Sequence, residues 1–443
     1  MDFDKLTPSE KLDARLRAWQ FPEGTQFKSK EVEQAYQKRV QMLIDVVKLK
    51  KPERVPVSIS TGFYPFVYAG CSCQDAMYDY EKLGAAMKKF HADFLPDVMA
   101  TSALYGPGRA LEILDYKLYR WPGHGVPTNT PYQCVEDEYM RADEYQNFIK
   151  DPTDYFLRYY FPRVFGALDP WKTLPPLTDI LELPFTGPTL ISFGTPPIQE
   201  TLKKLMEAGK ISFDWLMKCI EIDNDIKTSL GLPTFNGGFS KVPFDTLGDT
   251  LRGTTNIMKD MYRCPDKLLK ALDVIADISI KNALNSPNID NTLIFTYPLH
   301  KGADGWMSQK QFDKFYWPSL KKLLDALINE GLVQSLFAEG GYNSRLHCVN
   351  QFPKGSVAWM FDRTDMAEAK KALGNDCVII GNVPSSMMVT SDPKDVKEYC
   401  RNLIETCKPG GGYILSPGSS TENPKLDNIR AMVEAVNEYG WYK

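Results

Sequence analysis

Residues 336–343 read LFAEGGYN, a short apolar run that ends in a carboxylate, two glycines and two polar side chains. The pattern returns in residues 378–382, which read VIIGN, and in residues 413–418, which read YILSPG. Strands that alternate with helices and carry polar residues at their carboxyl ends are typical of a (β/α)8 barrel, whose site lies at that end. The chain is therefore predicted to be an α/β protein with a (β/α)8 TIM-barrel fold.

Other segments fit the same alternation of strands and helices. Further strands are predicted at residues 55–60, 97–100, 189–194, 291–297 and 357–361, where short apolar or β-branched runs occur. Helices are predicted at residues 366–373, 394–407 and 425–439, between and after the later strands.

Two segments exceed what a minimal barrel needs. Residues 1–52 are charged, and apolar residues at helical spacing in 31–48 form an amphipathic stripe, which predicts an N-terminal helical extension. Residues 104–175 form a long insertion rich in Tyr, Pro and Trp, which serves either as a lid or wall of the barrel mouth or as a structural excursion packed on the barrel. We therefore divide the chain into an extension, 1–52, and a barrel, 53–443.

The composition excludes several classes of protein. The 443 residues are 43% hydrophobic and 24% charged with a formal net charge of -4, which gives no general attraction to nucleic acid or acidic membranes. No window approaches the ~20 apolar residues of a membrane span, and the first residues do not resemble a secretory signal. We expect a cytoplasmic protein that binds neither nucleic acid nor membrane and keeps its nine cysteines free.

His300 is the histidine best placed for chemistry. The chain has four histidines, and this one lies in YPLHKGADG (297–305), directly after a predicted strand and close to Lys301 and Asp304. A neutral imidazole can bind zinc or transfer a proton near pH 7. The alternative is a histidine that only hydrogen-bonds within a tight loop.

Glu339 is the matching carboxylate after the next strand. A lone buried charge is costly, so this group must be paired, bound to a metal or protonated. Tyr342, Asn343 and Arg345 offer hydrogen-bond donors beside it, and a Glu339–Arg345 ion pair that only ties the loop is the alternative. Asp362 and Asn382 occupy the equivalent ends of the next two strands.

Six motifs together resemble the uroporphyrinogen decarboxylase superfamily over most of residues 53–443. They are FDTLGDTLRGT (244–254), HKGADGWMS (300–308), FAEGGYNSRL (337–346), FDRTDMAEAK (361–370), IGNVPSS (380–386) and GGGYILSPGS (410–419). The resemblance implies a TIM barrel and an enzyme.

The motifs favour one branch of that superfamily. Decarboxylases of the heme pathway carry an arginine-rich motif after the first strand, whereas residues 61–68 read TGFYPFVY and contain no arginine. Corrinoid-dependent methyltransferases that act on a thiol bind zinc through His-x-Cys and a later Cys, and those places are held here by FAE (337–339) and Ser419. What remains is similar to the O-demethylases, which transfer a methyl group from an aryl methyl ether to the cobalamin cobalt of a separate corrinoid protein.

The resemblance therefore implies a methyltransferase that demethylates a small methoxylated, aromatic compound and methylates a corrinoid protein. A His/carboxylate zinc site in that branch would use His300 and Glu339. The residues predicted to be catalytic are His300, Glu339, Asp304 and Asp362. Those predicted to bind substrate are Tyr342, Asn343, Arg345, Asn382 and Lys301.

Two alternatives stay open at this point. A decarboxylating lyase for a small or tetrapyrrole acid would need a cluster of arginines, and the sequence shows none close together. A non-enzymatic corrinoid carrier would need a cobalt-ligand motif of the type D-x-H-x-x-G, which is not found. The sequence leaves the oligomeric state open, a homodimer included.

Overall fold

The computed structural model describes residues 3–178, 182–183, 186–235, 237–286 and 289–443. Its helices are α1 (Pro8–Gln20), α2 (Lys30–Val47), α3 (Tyr64–Tyr68), α4 (Cys73–Tyr78), α5 (Tyr80–Phe94), α6 (Gly108–Ile113), α7 (Tyr145–Lys150), α8 (Pro152–Tyr155), α9 (Phe161–Val164), α10 (Thr186–Gly194), α11 (Pro196–Leu230), α12 (Pro243–Asp245), α13 (Thr254–Arg263), α14 (Pro265–Leu284), α15 (Gln309–Gln311), α16 (Trp317–Ile328), α17 (Met366–Leu373), α18 (Ser385–Thr390), α19 (Pro393–Cys407) and α20 (Leu426–Tyr439). Its strands are β1 (Tyr119–Pro122), β2 (Gly125–Val126), β3 (Gln133–Cys134), β4 (Gly237–Phe239), β5 (Ile294–Leu299), β6 (Val333–Ala338), β7 (Val357–Phe361), β8 (Val378–Ile380) and β9 (Tyr413–Ile414). Three π-helical turns lie at Phe156–Tyr160, Thr246–Arg252 and Phe312–Tyr316.

Eight parallel segments form a closed ring. Strands β4 to β9 pair in sequence order as one parallel sheet. Three further parallel bridges join its two edges, namely Leu415 to Val57, Ser58 to Val98 and Met99 to Thr234, the last lying just before β4. The predicted α/β barrel is therefore confirmed, with the segments around Val57 and Val98 as its first two members.

Alternate residues of the barrel strands belong to two different apolar clusters. In β7, Val357, Trp359 and Phe361 pack in the large cluster that includes the outer helices, whereas Ala358 packs in a second cluster. Side chains of a strand point alternately to opposite faces, so the second cluster lines the inside of the ring. By the same alternation, the side chain of Asp362, one residue past β7, points to the inner face of the ring.

The N-terminal extension closes the amino end of the barrel. Trp19 of α1 and Val40 and Val46 of α2 belong to the cluster that lines the ring. Arg15 donates hydrogen bonds to the carbonyl oxygens of Ile289 (2.6 Å) and Thr292 (2.7 Å), just before β5. The predicted helical extension is thus confirmed and packs against the barrel, while a domain boundary at residue 52 stays a prediction.

The aromatic insertion divides into two parts. Its C-terminal part, which includes Tyr145, Phe148 and Tyr155, packs in the large apolar cluster and is structural. Its middle part forms a small sheet in the order β2, β1, β3, and Tyr132 beside this sheet lies 5.4 Å from Phe63, after the first barrel segment. Packing on the barrel is therefore shown for the C-terminal part of residues 104–175, and a lid or wall of the mouth stays a prediction.

One predicted strand is wrong. Residues 189–194 lie in helix α10, where Leu190 and Ile191 are 60% and 67% exposed, whereas a barrel strand is buried on both faces. A short apolar run fits a helix as well as a strand, which explains the error. The strand at that place in the ring is β4, which the sequence analysis did not predict. In the described part of the chain, no helix has both the length and the apolar character required to cross a membrane.

Candidate active site

The loop after β5 is anchored by a buried carboxylate. Asp245 accepts hydrogen bonds from the backbone N–H groups of His300 (2.9 Å) and Lys301 (3.1 Å) and from the hydroxyl of Tyr316 (2.8 Å). Burial and the neighbouring Asp249 raise the pKa of Asp245 to about 6, and His300 opposes that shift. These bonds fix the backbone from which the side chain of His300 extends.

Asp249 bonds three basic side chains, those of His300, Lys241 and Lys301. Its carboxylate lies 2.6 Å from Nδ1 of His300 and 2.6 Å from Nζ of Lys241, and it also bonds Nζ of Lys301. Burial alone would raise the pKa of Asp249, but the bond to His300 and the two lysine charges lower it well below the ordinary range. Asp249 is therefore an anion that orients His300.

His300 and Glu339 meet at the open end of the barrel. Because Nδ1 of His300 is occupied by Asp249, Nε2 points away from it and lies 3.7 Å from Oε1 of Glu339. The two side chains are 32% and 44% exposed, so both are accessible to a ligand. The structure thus brings together the two residues on which the predicted site depends.

Both members of this pair hold their protons more tightly than usual. Burial lowers the pKa of His300, but the bond to Asp249 and the charges of Asp245, Asp249 and Glu339 outweigh it and raise the pKa. The pKa of Glu339 is raised by burial and by Asp362, while His300 opposes the shift. A histidine whose pKa is raised and whose Nε2 faces the open mouth is the arrangement expected of a general acid.

The donor set does not fit a complete zinc site. Nε2 of His300 and the carboxylate of Glu339 are suitable donors, and Asp249 on Nδ1 is the kind of outer partner that orients a zinc-bound histidine. Catalytic zinc takes three protein ligands, and in the described ranges no three His, Cys, Asp or Glu side chains are grouped to hold a metal. The zinc site implied by the resemblance therefore stays an expectation, and we derive no step through a metal.

Asp362 and Asn382 connect the loops of neighbouring strands. Asp362 accepts a hydrogen bond from the N–H of Gly340 (3.1 Å), next to Glu339. The side-chain amide of Asn382 donates to the carbonyl oxygens of Asp362 (3.1 Å) and Thr364 (2.8 Å). Both residues therefore help to position Glu339, and Asp362 also adds a charge beside it.

The expected pairing of Arg345 with Glu339 or a substrate carboxylate is corrected by the structure. Arg345 is 1% exposed and donates to the carbonyl of Met307 (2.6 Å) and the side chain of Gln309 (2.5 Å). Asp304 accepts bonds from the hydroxyl (2.7 Å) and N–H (3.2 Å) of Ser344. Arg345 and Asp304 therefore stabilise the loops after β5 and β6, and a catalytic role of Asp304 stays a prediction.

The other predicted substrate contacts also have partners within the protein. Tyr342 is fully buried, and a substrate contact of this residue stays a prediction. Asn343 accepts a hydrogen bond from the N–H of Asp365 (2.9 Å) and is exposed, and Lys301 is bonded to Asp249. Substrate contacts of Asn343, Lys301 and Asn382 remain predictions.

The sequence analysis missed three residues of this site, Asp245, Asp249 and Lys241. The two aspartates are four residues apart and share one face of the π-helical turn and the helix before it, which is the signal that could have found them. Nothing in the sequence places Lys241 beside Asp249.

The small sheet of the insertion supplies an aromatic wall. Tyr119 and Tyr132 lie with their rings 5.9 Å apart, and Tyr132 lies 5.4 Å from Phe63, at the end of the first barrel segment. The pKa of Tyr119 is raised by burial and further by Cys134, Tyr132 and Asp249. The mouth is thus polar on one side and aromatic on another.

The remaining histidines lie outside this arrangement. His91 is buried near the end of α5 with Nδ1 2.7 Å from the carbonyl of Met87, and burial lowers its pKa to about 4. His124 stacks on Trp121 with ring centres 4.9 Å apart, and His347 is exposed. All nine cysteines are free, as predicted.

A closed ring of parallel strands with ionisable side chains at its carboxyl end defines a TIM-barrel type of site. The model of the uroporphyrinogen decarboxylase (URO-D) family matches residues 186–439. The chain belongs to this enzyme family, in agreement with the resemblance found in the sequence.

Individual relatives agree with this assignment. The chain is 26% identical to a uroporphyrinogen decarboxylase of Actinobacillus succinogenes over 59% of this chain and 77% of that protein. It is 27% identical to one of Photorhabdus laumondii over 45% of this chain and 58% of that protein, and 32% identical to one of Dichelobacter nodosus over 29% and 36%. The chain thus spans between about a third and three quarters of the length of these relatives.

A solved structure shares the fold over most of the chain. A methyltransferase from Methanosarcina mazei superposes with a TM-score of 0.57 at 16% sequence identity, covering 91% of this chain and 98% of that one. At this level of identity the match concerns the fold, and it agrees with the barrel described above.

Proposed function

We propose that this protein is a methyltransferase that removes the methyl group of a small methoxylated aromatic compound and passes it to a corrinoid protein. The observation that carries the proposal is the pair formed by Nε2 of His300 and Glu339, 3.7 Å apart and open to the barrel mouth. Phenolate is a poor leaving group, so a proton donor at the ether oxygen would stabilise the charge that develops there.

Each group has a separate role in the proposed methyl transfer. The reduced cobalt of a partner corrinoid protein would supply the nucleophile that takes the methyl group. The carbon–oxygen bond breaks, its electron pair stays on the aryl oxygen, and that oxygen takes the proton from His300. Asp249 stabilises the protonated imidazole, and the aromatic wall with Tyr119 and Tyr132 holds the flat ring.

The test is methyl transfer from a panel of methoxy-aromatic compounds to free cob(I)alamin, followed by its visible spectrum. His300→Ala and Glu339→Ala should lower the rate by about 10²- to 10⁴-fold, the range of general acid catalysis, with an unchanged circular dichroism spectrum. His347→Ala, at an exposed histidine outside the site, is the matched control and should leave the rate unchanged. Unchanged rates in both site variants would contradict the assignment.

A decarboxylating lyase is the second candidate, favoured by the similarity of the chain to uroporphyrinogen decarboxylases. The structure gives it less support, because two of the three motif arginines, Arg252 and Arg345, are 2% and 1% exposed and bonded within the protein, and the exposed Arg363 is a single arginine. Arginines that bind several substrate carboxylates would have to face the mouth. Release of labelled CO2 from porphyrinogen or small acids, without methyl transfer to cob(I)alamin, would establish this alternative.

A further inference from the structure

Glu422 is a carboxylate at the barrel mouth that the proposed reaction does not use. It follows β9 and accepts a hydrogen bond from the backbone N–H of Phe63 (2.9 Å), after the first barrel segment. In the strand order, β9 and the segment around Val57 lie across the ring from β5 and β6, the strands that lead into His300 and Glu339. Glu422 therefore occupies the opposite wall of the mouth.

The backbone at Gly62 leaves space for the carboxylate of Glu422. Gly62 has a φ of +48°, and a Cβ atom at this position would overlap the carboxylate of Glu422. Only glycine adopts that backbone conformation easily and leaves the space that Glu422 fills. Thr421 beside it is buried, with its N–H bonded to the carbonyl of Ser60 (3.2 Å). The position of Glu422 is thus fixed from both flanking segments.

The neighbours of Glu422 determine which kind of ligand it suits. Within the described residues, no lysine, arginine or histidine forms an ion pair with it, and Lys425 on the same loop donates instead to the carbonyls of Thr390 (2.9 Å) and Ser391 (3.0 Å). A half-buried carboxylate with one backbone donor can accept further hydrogen bonds from a ligand. The site is therefore suited to a ligand that brings a hydrogen-bond donor.

Aromatic rings lead from Glu422 to the catalytic pair. The ring of Tyr132 lies 5.4 Å from that of Phe63, whose N–H donates to Glu422, and Glu422 adds to the rise in the pKa of Tyr132 that burial causes. Tyr132 in turn contacts Tyr119, whose pKa is raised partly by Asp249. The rings of Phe63, Tyr132 and Tyr119 thus form a continuous row that begins at the segment holding Glu422.

We infer that Glu422 recognises a hydroxyl or ammonium group at the end of the substrate opposite the methyl ether, and that it rejects a carboxylate there. This inference rests on the proposed function and narrows its substrate class to methoxy-aromatics that carry a hydrogen-bond donor. Hydroxyl and ammonium share the donor chemistry, and the experiment separates them.

Titration calorimetry measures the affinity of the full chain for five para-substituted benzenes. Four of them carry a methoxy group and differ in the substituent opposite it, and the fifth has a methyl group in place of the methoxy group. They are 4-methoxyphenol, 4-methoxybenzylamine, 4-methoxybenzoate, 4-methylanisole and 4-methylphenol. Either the phenols or the amine should bind at least tenfold more tightly than the benzoate, and which of them does so identifies the donor. Equal affinities, tightest binding of the benzoate, or no binding at millimolar concentration would overturn the inference.

Variants test whether Glu422 causes the preference for a hydroxyl or ammonium probe over the benzoate. Glu422→Gln keeps the size of the side chain and should reduce the preference over the benzoate about tenfold or more, without changing the affinity for 4-methylanisole. Glu398→Gln, on the outer helix α19, is the control and should bind like the unchanged protein. A preference that survives Glu422→Gln, in a variant with an unchanged circular dichroism spectrum, would show that another residue is responsible.

The two proposals fail in different ways. 4-Methylphenol has no methyl ether, so its binding reports on Glu422 and does not depend on methyl transfer. If no probe methylates cob(I)alamin while the Glu422-dependent preference persists, the proposed function is wrong and the binding site remains. If methyl transfer proceeds equally from 4-methylanisole and 4-methoxyphenol, the proposed function holds and the role of Glu422 is wrong.

Discussion

The proton at the candidate site is controlled by the groups that surround His300. Asp249 accepts from Nδ1, Asp245 accepts from the backbone N–H of the same residue, and Glu339 faces Nε2. All three carboxylates favour the charged imidazole, against burial, and the pKa of His300 is raised from 6.5. The imidazole can therefore serve as an acid at neutral pH.

The first prediction concerns Asp249→Asn. A reaction that needs the protonated imidazole proceeds below the pKa of His300 and fails as the pH rises through it. Removing the carboxylate lowers this pKa and also leaves the charges of Lys241 and Lys301 unbalanced near the ring. The alkaline limb of the pH–rate profile should shift to lower pH, measured by methyl transfer to cob(I)alamin. Asp427→Asn, on the exposed face of α20, should leave the profile in place.

The second prediction concerns Arg252, a motif residue with a structural role. Its guanidinium bonds the carboxylates of Asp260 (2.6 Å) and Glu138 (2.6 Å) and the carbonyl of Met140, in a buried setting. Arg252→Met leaves Asp260 buried without its partner, which should lower the free energy of unfolding by roughly 3–5 kcal/mol in urea denaturation. Arg401→Met on the surface of α19 should cause no measurable change, and a similarly small effect at Arg252 would show that Asp260 finds another partner.

At the scale of elements, the alternation of barrel strands explains which site residues the sequence could predict. His300, Glu339, Asp362 and Asn382 each follow a strand, so a list of strand ends finds them. Asp245 and Asp249 lie on a helical turn after β4, a strand that the sequence analysis missed because glycines leave it without an apolar run. The exposed helix α10 was mistaken for a strand for the related reason that its short apolar run has no clear period.

The third prediction concerns helix α1. Trp19 is 2% exposed, packs in the cluster inside the ring and donates from Nε1 to the carbonyl of Thr234 (3.0 Å). Trp19→Ala should lower the free energy of unfolding by about 3–5 kcal/mol, the usual loss for a buried tryptophan. Phe21→Ala, at the exposed end of the same helix, should change it by less than about 0.5 kcal/mol, as is typical of surface positions.

A large effect at Trp19 and a small one at Phe21, both in urea denaturation, would show that α1 belongs to the barrel core. Equal and small effects would instead mean that the amino end of the ring is stable without the helix. The comparison is informative because both are aromatic residues two positions apart.

At the scale of the whole molecule, one apolar cluster joins the extension to the ring. It contains Tyr36 and Leu43 from α2 together with Ile294, Val378 and Ile414, which begin or lie within three different barrel strands. A ring of eight parallel strands that exposed these side chains at its amino end would present apolar surface to water. The extension therefore completes the inner core while the site forms at the other end.

The last prediction is that residues 53–443 do not fold stably when residues 1–52 are deleted. The deletion removes the helices that cover the amino end of the ring and the bonds of Arg15 and Trp19 to the segments before β5 and β4. Differential scanning calorimetry of the truncated chain should show no cooperative transition at the temperature of the full chain. Adding the 1–52 segment as a separate chain should restore part of that transition, because the contacts are apolar and need no covalent link. If the truncated chain melts cooperatively at the same temperature and still methylates cob(I)alamin, residue 52 is a true domain boundary and the barrel is stable alone.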